Sequence, residues 1–255
     1  DLPTGRLPED LAEISTLMAV GSPAVCAYRS SNGLLMESSL FAKRMIDKFN
    51  SPESIAIVGL SEKVHNEEGH WKQVLRYCCE GCFQSVLDEW AHMVSEDNRL
   101  SSSELDRKFL YTLLSSYVNI RSAPIQVDAY ENFDSRMHAV AGVQGKMSMR
   151  THFAAGFYKT KNEEKAVSRK NALRYAFNSP FYPFVLATTS VGQEGLDFHY
   201  YCRRIMHWNL PSNPIDLEQR EGRINRFKNF AIRKNLASRF GNSQFDVDVW
   251  TELFK

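Results

Sequence analysis

The sequence predicts two architectures in series: a mostly α-helical region over residues 1–119, then an α/β domain over 120–255 with a mainly parallel sheet flanked by helices. Three observations carry this reading. Apolar residues recur at helical spacing through the first part. Past Pro124 the texture changes to apolar–polar alternation. Short apolar runs and amphipathic stretches then follow in the order strand, helix, strand, strand, helix, the pattern of a sheet covered by helices.

Taken in order, Leu7-Pro8-Glu9-Asp10 reads as a helix start, with Leu11, Ile14, Leu17 and Met18 at helical spacing and a break at Gly21-Ser22-Pro23. Leu35 to Phe49 is a second amphipathic helix, with Leu40, Phe41, Met45, Ile46 and Phe49 on its core side. Ile55 to Leu60 fits a short strand or a helix equally well. The longest helical pattern runs from His70 to Val94 through Trp71, Val74, Leu75, Cys78, Phe83, Leu87 and Trp90, with Gly81 bending or splitting it. Glu104 to Asn119 is a further helix with Leu105, Phe109, Leu113 and Leu114 inward. Ile125–Tyr130 and Met147–Phe153 alternate as strands do. Ala166 to Asn178 is a helix whose other face carries Arg169, Lys170 and Arg174.

Composition bounds the function. At 255 residues the chain has ample core for one large or two small domains. A formal net charge of +1 removes any global basic field, so contact with nucleic acid must be a local patch. No window reaches the apolar length expected of a membrane span, and no secretory leader is read. Five cysteines, an odd number, then point to free thiols in a reducing cytoplasm. The chain opens on Asp1 rather than Met, as a piece of a longer protein does.

Cys79-Glu80-Gly81-Cys82 invites a zinc reading, with Cys78, His65, His70 or His92 as helpers. Structural zinc wants a second Cys or His pair at defined spacing, and none is present. The cysteines are expected to be small core residues, and no metal site is predicted.

The chemistry concentrates between Phe184 and Phe227. Phe184-Val185-Leu186-Ala187 reads as a short buried strand, followed by the hydroxyl run Thr188, Thr189 and Ser190. A turn with Gly192 and Gly195 leads to the carboxylate Asp197. Ile205-Met206-His207-Trp208 reads as another strand, ending at the breakers Pro211 to Pro214. The helix expected after Pro214 carries Gln219, Arg220, Arg223 and Arg226, with the three arginines sharing a broad face at i, i+3 and i+6. Clustered guanidiniums repel one another unless an anion sits among them, and a polyphosphate matches their fork geometry. Beyond them Lys228, Arg233, Lys234 and Arg239 form a basic tract, by default a solvated face and alternatively a contact to nucleic-acid phosphates.

These two stretches resemble a known pair of motifs. Ala187 to Phe198 looks like motif V of superfamily-2 helicases and their Swi/Snf-type relatives. Gln219 to Arg226 is similar to motif VI, the Q-R-x-G-R-x-x-R pattern, without a mismatch. The resemblance implies the C-terminal RecA-like lobe of an ATP-dependent motor, similar to those of large bacterial helicase-like proteins. It implies Arg223 and Arg226 as arginine fingers on the γ-phosphate, with Gln219 at the phosphate or the attacking water. Gly192, Gly195, Asp197 and Arg220 would form the nucleotide-side framework, Asp197 reaching the ribose or the motif VI arginines. Thr188, Thr189, Ser190, Arg169 and Lys170 would meet nucleic acid, with DNA the first candidate and RNA the second. No G-x-x-x-x-G-K-[ST] and no acidic magnesium motif occurs. ATP and its Mg2+ would therefore need the N-terminal RecA-like lobe of the same full-length protein, and the isolated chain is expected to be inactive. The alternative is a non-catalytic docking module for nucleic acid or protein that keeps this fold.

Overall fold

The computed structural model describes residues 9–33, 35–61, 69–118, 124–128, 146–150, 171–181, 184–188, 197–244 and 249–254. The chain forms two compact units, Asp1–Asn119 together with Arg174–Lys255, and Ile120–Leu173.

In the first unit the helices are α1 (Leu11–Gly21), α2 (Pro23–Ser30), α3 (Leu35–Phe49), α4 (Pro52–Gly59), α5 (His70–Glu80), α6 (Phe83–Asp97) and α7 (Glu104–Tyr117). Helix α8 is described over 171–177, and α9 (Pro214–Glu221), α10 (Phe230–Phe240) and α11 (Val249–Leu253) follow. Their ends obey local chemistry. Ser51 caps α4 by accepting from the Ser54 amide at 3.3 Å with Pro52 behind it, and Ser103 caps α7 through Asp106 N–H at 3.2 Å. The stretch around Ile55 that fitted strand or helix is thus helical. The long pattern after His70 does split, but the left-handed residue at the joint is Cys82, at φ 50°, one position beyond Gly81.

The core is centred on Trp90, fully buried on α6. It meets Phe41 at 6.3 Å, Tyr117 at 6.3 Å and Phe181 at 5.7 Å between ring centres. Tyr175 of α8 stacks on Tyr117 at 4.2 Å, and Tyr200 is buried in the same cluster, so the chain from Tyr175 onward shares one core with the N-terminal helices.

Several inward faces differ from expectation. On α7 the buried side chains are Leu110, Tyr111, Leu114 and Tyr117, while Leu105 and Phe109 are exposed. On α3 Phe41, Met45 and Phe49 are buried and Leu40 and Ile46 are exposed. A broad apolar stripe fits more than one rotation of a helix, and the aromatic partners of Trp90 decide which is taken.

The stretch Leu11–Ser30 corrects the reading that no window suits a membrane: by length and composition it is long and apolar enough to cross one. Here it is two helices broken at Ser22, whose ψ of 124° is extended, and α2 puts Cys26 and Ala27 fully inside the bundle.

In the second unit β1 (Pro124–Asp128) and β2 (Lys146–Arg150) pair antiparallel, with Val127 opposite Met147. The parallel ladder expected of the α/β domain is not among the described residues. Neither 184–187 nor 205–208 is paired as a strand there, and Phe184, Val185, Met206 and Trp208 are exposed.

Candidate functional site

Helix α9 forms for reasons visible in its residues. Asn213 Oδ1 accepts from the Ile215 amide at 3.1 Å, Pro214 occupies the first helical position, and Asp216 and Arg220 sit at the ends that favour their charges. The helix stops at Glu221. Gly222 lies where an added Cβ would stand 3.2 Å from the Glu218 carbonyl oxygen. The chain then runs through turn bonds, Arg223 N–H to the Arg220 carbonyl at 3.2 Å and Asn225 N–H to the Glu221 carbonyl at 3.1 Å.

Arg223 and Arg226 therefore lie on a turn past the helix end, which differs from the continuous helical face the spacing suggests. Tertiary backbone bonds explain the difference. The Arg223 carbonyl accepts from Phe198 N–H at 3.0 Å, and the His199 carbonyl accepts from Phe230 N–H at 3.0 Å. These bonds lay the arginine turn beside residues 197–199 and outcompete the helix's own i→i−4 ladder.

The side chains spread accordingly. Arg226 is half-exposed, and its Nη2 stands 3.1 Å from Asp197 Oδ1. Asp197 is steadied from behind by Asn178, whose Nδ2 donates to the Asp197 carbonyl at 2.7 Å. Arg220 donates from Nη1 to the Asn209 carbonyl at 3.0 Å, tying α9 to the proline turn before it. Gln219 is exposed and Arg223 half-buried. Thr188 is exposed. Thr189, Ser190, Gly192, Gly195, Arg169 and Lys170 lie outside the described residues. Burial lowers the His199 imidazole below its ordinary value, against the pull of Asp197.

The basic tract after the turn divides. Lys234 and Arg239 are exposed, as a solvated face requires, but Lys228 and Arg233 are buried. Lys228 Nζ reaches both carboxylate oxygens of Glu96, at 2.5 and 2.6 Å. Arg233 donates from Nε to Glu89 at 2.5 Å, from Nη1 to the Lys228 carbonyl at 2.7 Å and from Nη2 to the Tyr200 carbonyl at 2.6 Å. The sequence reading of Lys228 and Arg233 as a solvated face or a phosphate contact is thus corrected, and Glu89 and Glu96 had no place in it. The available signal was the pair of aromatics, Tyr201 and Phe230, whose rings stand 5.4 and 5.9 Å from the Arg233 guanidinium carbon.

Of the three neighbouring cysteines read as core residues, only Cys78 is buried; Cys79 is half-buried and Cys82 exposed. The Cys78 thiol is pushed far up by desolvation. Among the described residues no group of three or more His, Cys, Asp or Glu could hold a metal ion. A pocket of about 370 Å3 opens between α3, α4, α5 and Phe181, lined by Lys48, Phe49, Val58 and Phe83, and none of the predicted site residues lines it.

Residues 144–228 match the helicase conserved C-terminal domain. The match takes in Asp197, Gln219, Arg220, Arg223 and Arg226, and it supports a helicase-type second lobe in this part of the chain. It covers less than half of the chain, leaving α1–α7 and Arg233 outside. No curated protein and no solved structure gives a significant match.

Proposed function

We propose that the helicase-type segment is the second, RecA-like lobe of an ATP-dependent nucleic-acid motor of the Swi/Snf-like kind, an α/β domain over 120–255 that follows the helical region 1–119. Arg223 and Arg226 act as its arginine fingers. The observation that carries this is the placement of Arg226 on a half-exposed turn, parked 3.1 Å from a carboxylate that is itself partly exposed. An exposed pair of this kind is worth about 0–1 kcal/mol. A γ-phosphate offers more charge and two-point geometry, so it displaces Asp197 at little cost.

Hydrolysis of ATP leaves the protein mainly positioning and charge neutralisation to do, and an inserted arginine contributes on the order of a thousandfold or more. Gln219, exposed on α9, would orient phosphate or water. Gly192, Gly195, Asp197 and Arg220 would frame the nucleotide side. The partner lobe supplies the remaining phosphate contacts and Mg2+. DNA would run past Thr188, Thr189, Ser190, Arg169 and Lys170, in a cytoplasmic, bacterial setting. A second reading, a docking module without catalysis, draws on the exposure of Met206 and Trp208, both above nine-tenths.

ATPase turnover of the longest natural chain containing this segment, with and without DNA, separates the two. Turnover should be stimulated by DNA and should fall by roughly a thousandfold in Arg223→Ala and Arg226→Ala. Wild-type turnover in both variants, or none in the parent, would leave the docking module as the better account.

A further inference from the structure

We infer that Glu89 and Glu96 of α6 are positioning residues for the arginine turn, making the N-terminal helical region part of the machinery that aims Arg226. This rests on the motor reading above and adds to it. Glu89, Met93 and Glu96 lie along one face of α6, at i, i+4 and i+7. That face holds both strands of chain that make the site. On one side Glu96 takes Lys228, two residues past Arg226, with both carboxylate oxygens. On the other, the Met93 carbonyl accepts from the Tyr200 hydroxyl at 3.4 Å, three residues past Asp197.

Arg233 locks the two together. Its guanidinium is 1% exposed and bonds Glu89, the Lys228 carbonyl and the Tyr200 carbonyl at once. The turn between these anchors has little freedom left. Lys228 sits at φ 56°, an uncommon conformation for a side chain with a Cβ, and Asn229 N–H returns to the Arg226 carbonyl at 3.1 Å. Buried ion pairs are a poor way to gain stability, because apolar replacements of similar volume often do as well. They are a good way to fix direction, since a hydrogen-bonded guanidinium tolerates one arrangement where an apolar contact tolerates sliding. Glu89 and Glu96 fall outside the stretch that matches the helicase domain and before residue 120, so their half of the clamp comes from the helical region of this chain.

The test uses the longest natural chain containing the segment, with saturating DNA. Glu96→Gln and Glu89→Gln should lower kcat roughly 10- to 100-fold, the scale of a slight misplacement of catalytic groups. KM for ATP should stay close to wild type in both, the melting temperature should stay close to wild type in Glu96→Gln, and the exchange Glu96→Lys with Lys228→Glu should restore turnover. Glu96 is half-exposed, so its variants carry the test even where Glu89→Gln fails to fold. Full turnover in Glu96→Gln beside a dead Arg226→Ala would overturn the clamp and leave the motor standing. Full turnover in Arg226→Ala would remove the motor reading and the clamp with it.

Discussion

Arg233 on α10 donates through Nε to Glu89 on α6 at 2.5 Å, across a sequence separation of 144. A guanidinium at 1% exposure has no water to fall back on. Its remaining donors are satisfied by the Lys228 and Tyr200 carbonyls, so the pair organises backbone as well as charge.

Breaking that pair should be expensive. Arg233→Met leaves Glu89 and two carbonyls short of a partner, and Glu89→Ala leaves a buried positive charge. Either is expected to lower unfolding free energy by about 3–5 kcal/mol in chemical denaturation. A change of less than about 1 kcal/mol would show that Arg233 reaches solvent in the folded protein.

The Asp197–Arg226 pair should behave in the opposite way. Both side chains are partly exposed, at 38% and 50%. Asp197→Asn is expected to change stability by less than about 1 kcal/mol, an effect shrinking further as salt is added. A loss several times larger in urea titration would make this carboxylate a structural element and undercut its role as a resting place for Arg226.

Lys48 offers a test by pH. Burial draws its ammonium down to about 7 from 10.5, with Glu53 pulling weakly upward. The unfolded chain holds this proton up to 10.5, while the folded chain releases it above about 7. Between these values the unfolded state binds more protons, so stability rises with pH across that window, and below it the cost of burying the charge is complete. Lys48→Met should therefore raise Tm most near neutral pH and below, with the gain shrinking toward pH 10. A gain that does not vary with pH would mean that Lys48 titrates alike in the folded and the unfolded chain.

Trp90 is the fourth case. Trp90→Ala should cost about 3–5 kcal/mol, since it empties the slot shared by Phe41, Tyr117 and Phe181. The same substitution should disturb the near-ultraviolet circular dichroism of Tyr175, which stacks on Tyr117. Preserved stability would place the core elsewhere.

How much of this was legible beforehand depends on the range of the interaction. Local signals read well: Gly21-Ser22-Pro23 broke a helix, Leu35–Phe49 formed one, and Pro214 opened α9, because caps and breakers act within a few residues. Rotation about a helix axis was less readable. Leu105 and Phe109 looked inward on α7, but the ring of Trp90 drew in Leu110, Tyr111 and Tyr117 instead. The arginine pattern was legible as residue types at a set spacing. Its shape was not announced, since the Phe198 and Phe230 amides that end the helical run come from outside it. Lys228 and Arg233 read as solvated because their partners, Glu96 and Glu89, stand on a helix more than a hundred residues earlier.

The first unit is built from two stretches with residues 120–173 between them. During synthesis Glu89 therefore precedes Arg233 by 144 residues, a wait of roughly 7–30 s at ribosomal rates of about 5–20 residues per second. Through that interval Glu89 and Glu96 lack their Arg233 and Lys228 partners, and Trp90 is open toward water where Phe181 will later sit. The nascent helices are thus a half-finished vessel whose stopper is still being made, and it is in this window that a chaperone would find the chain most in need of shelter.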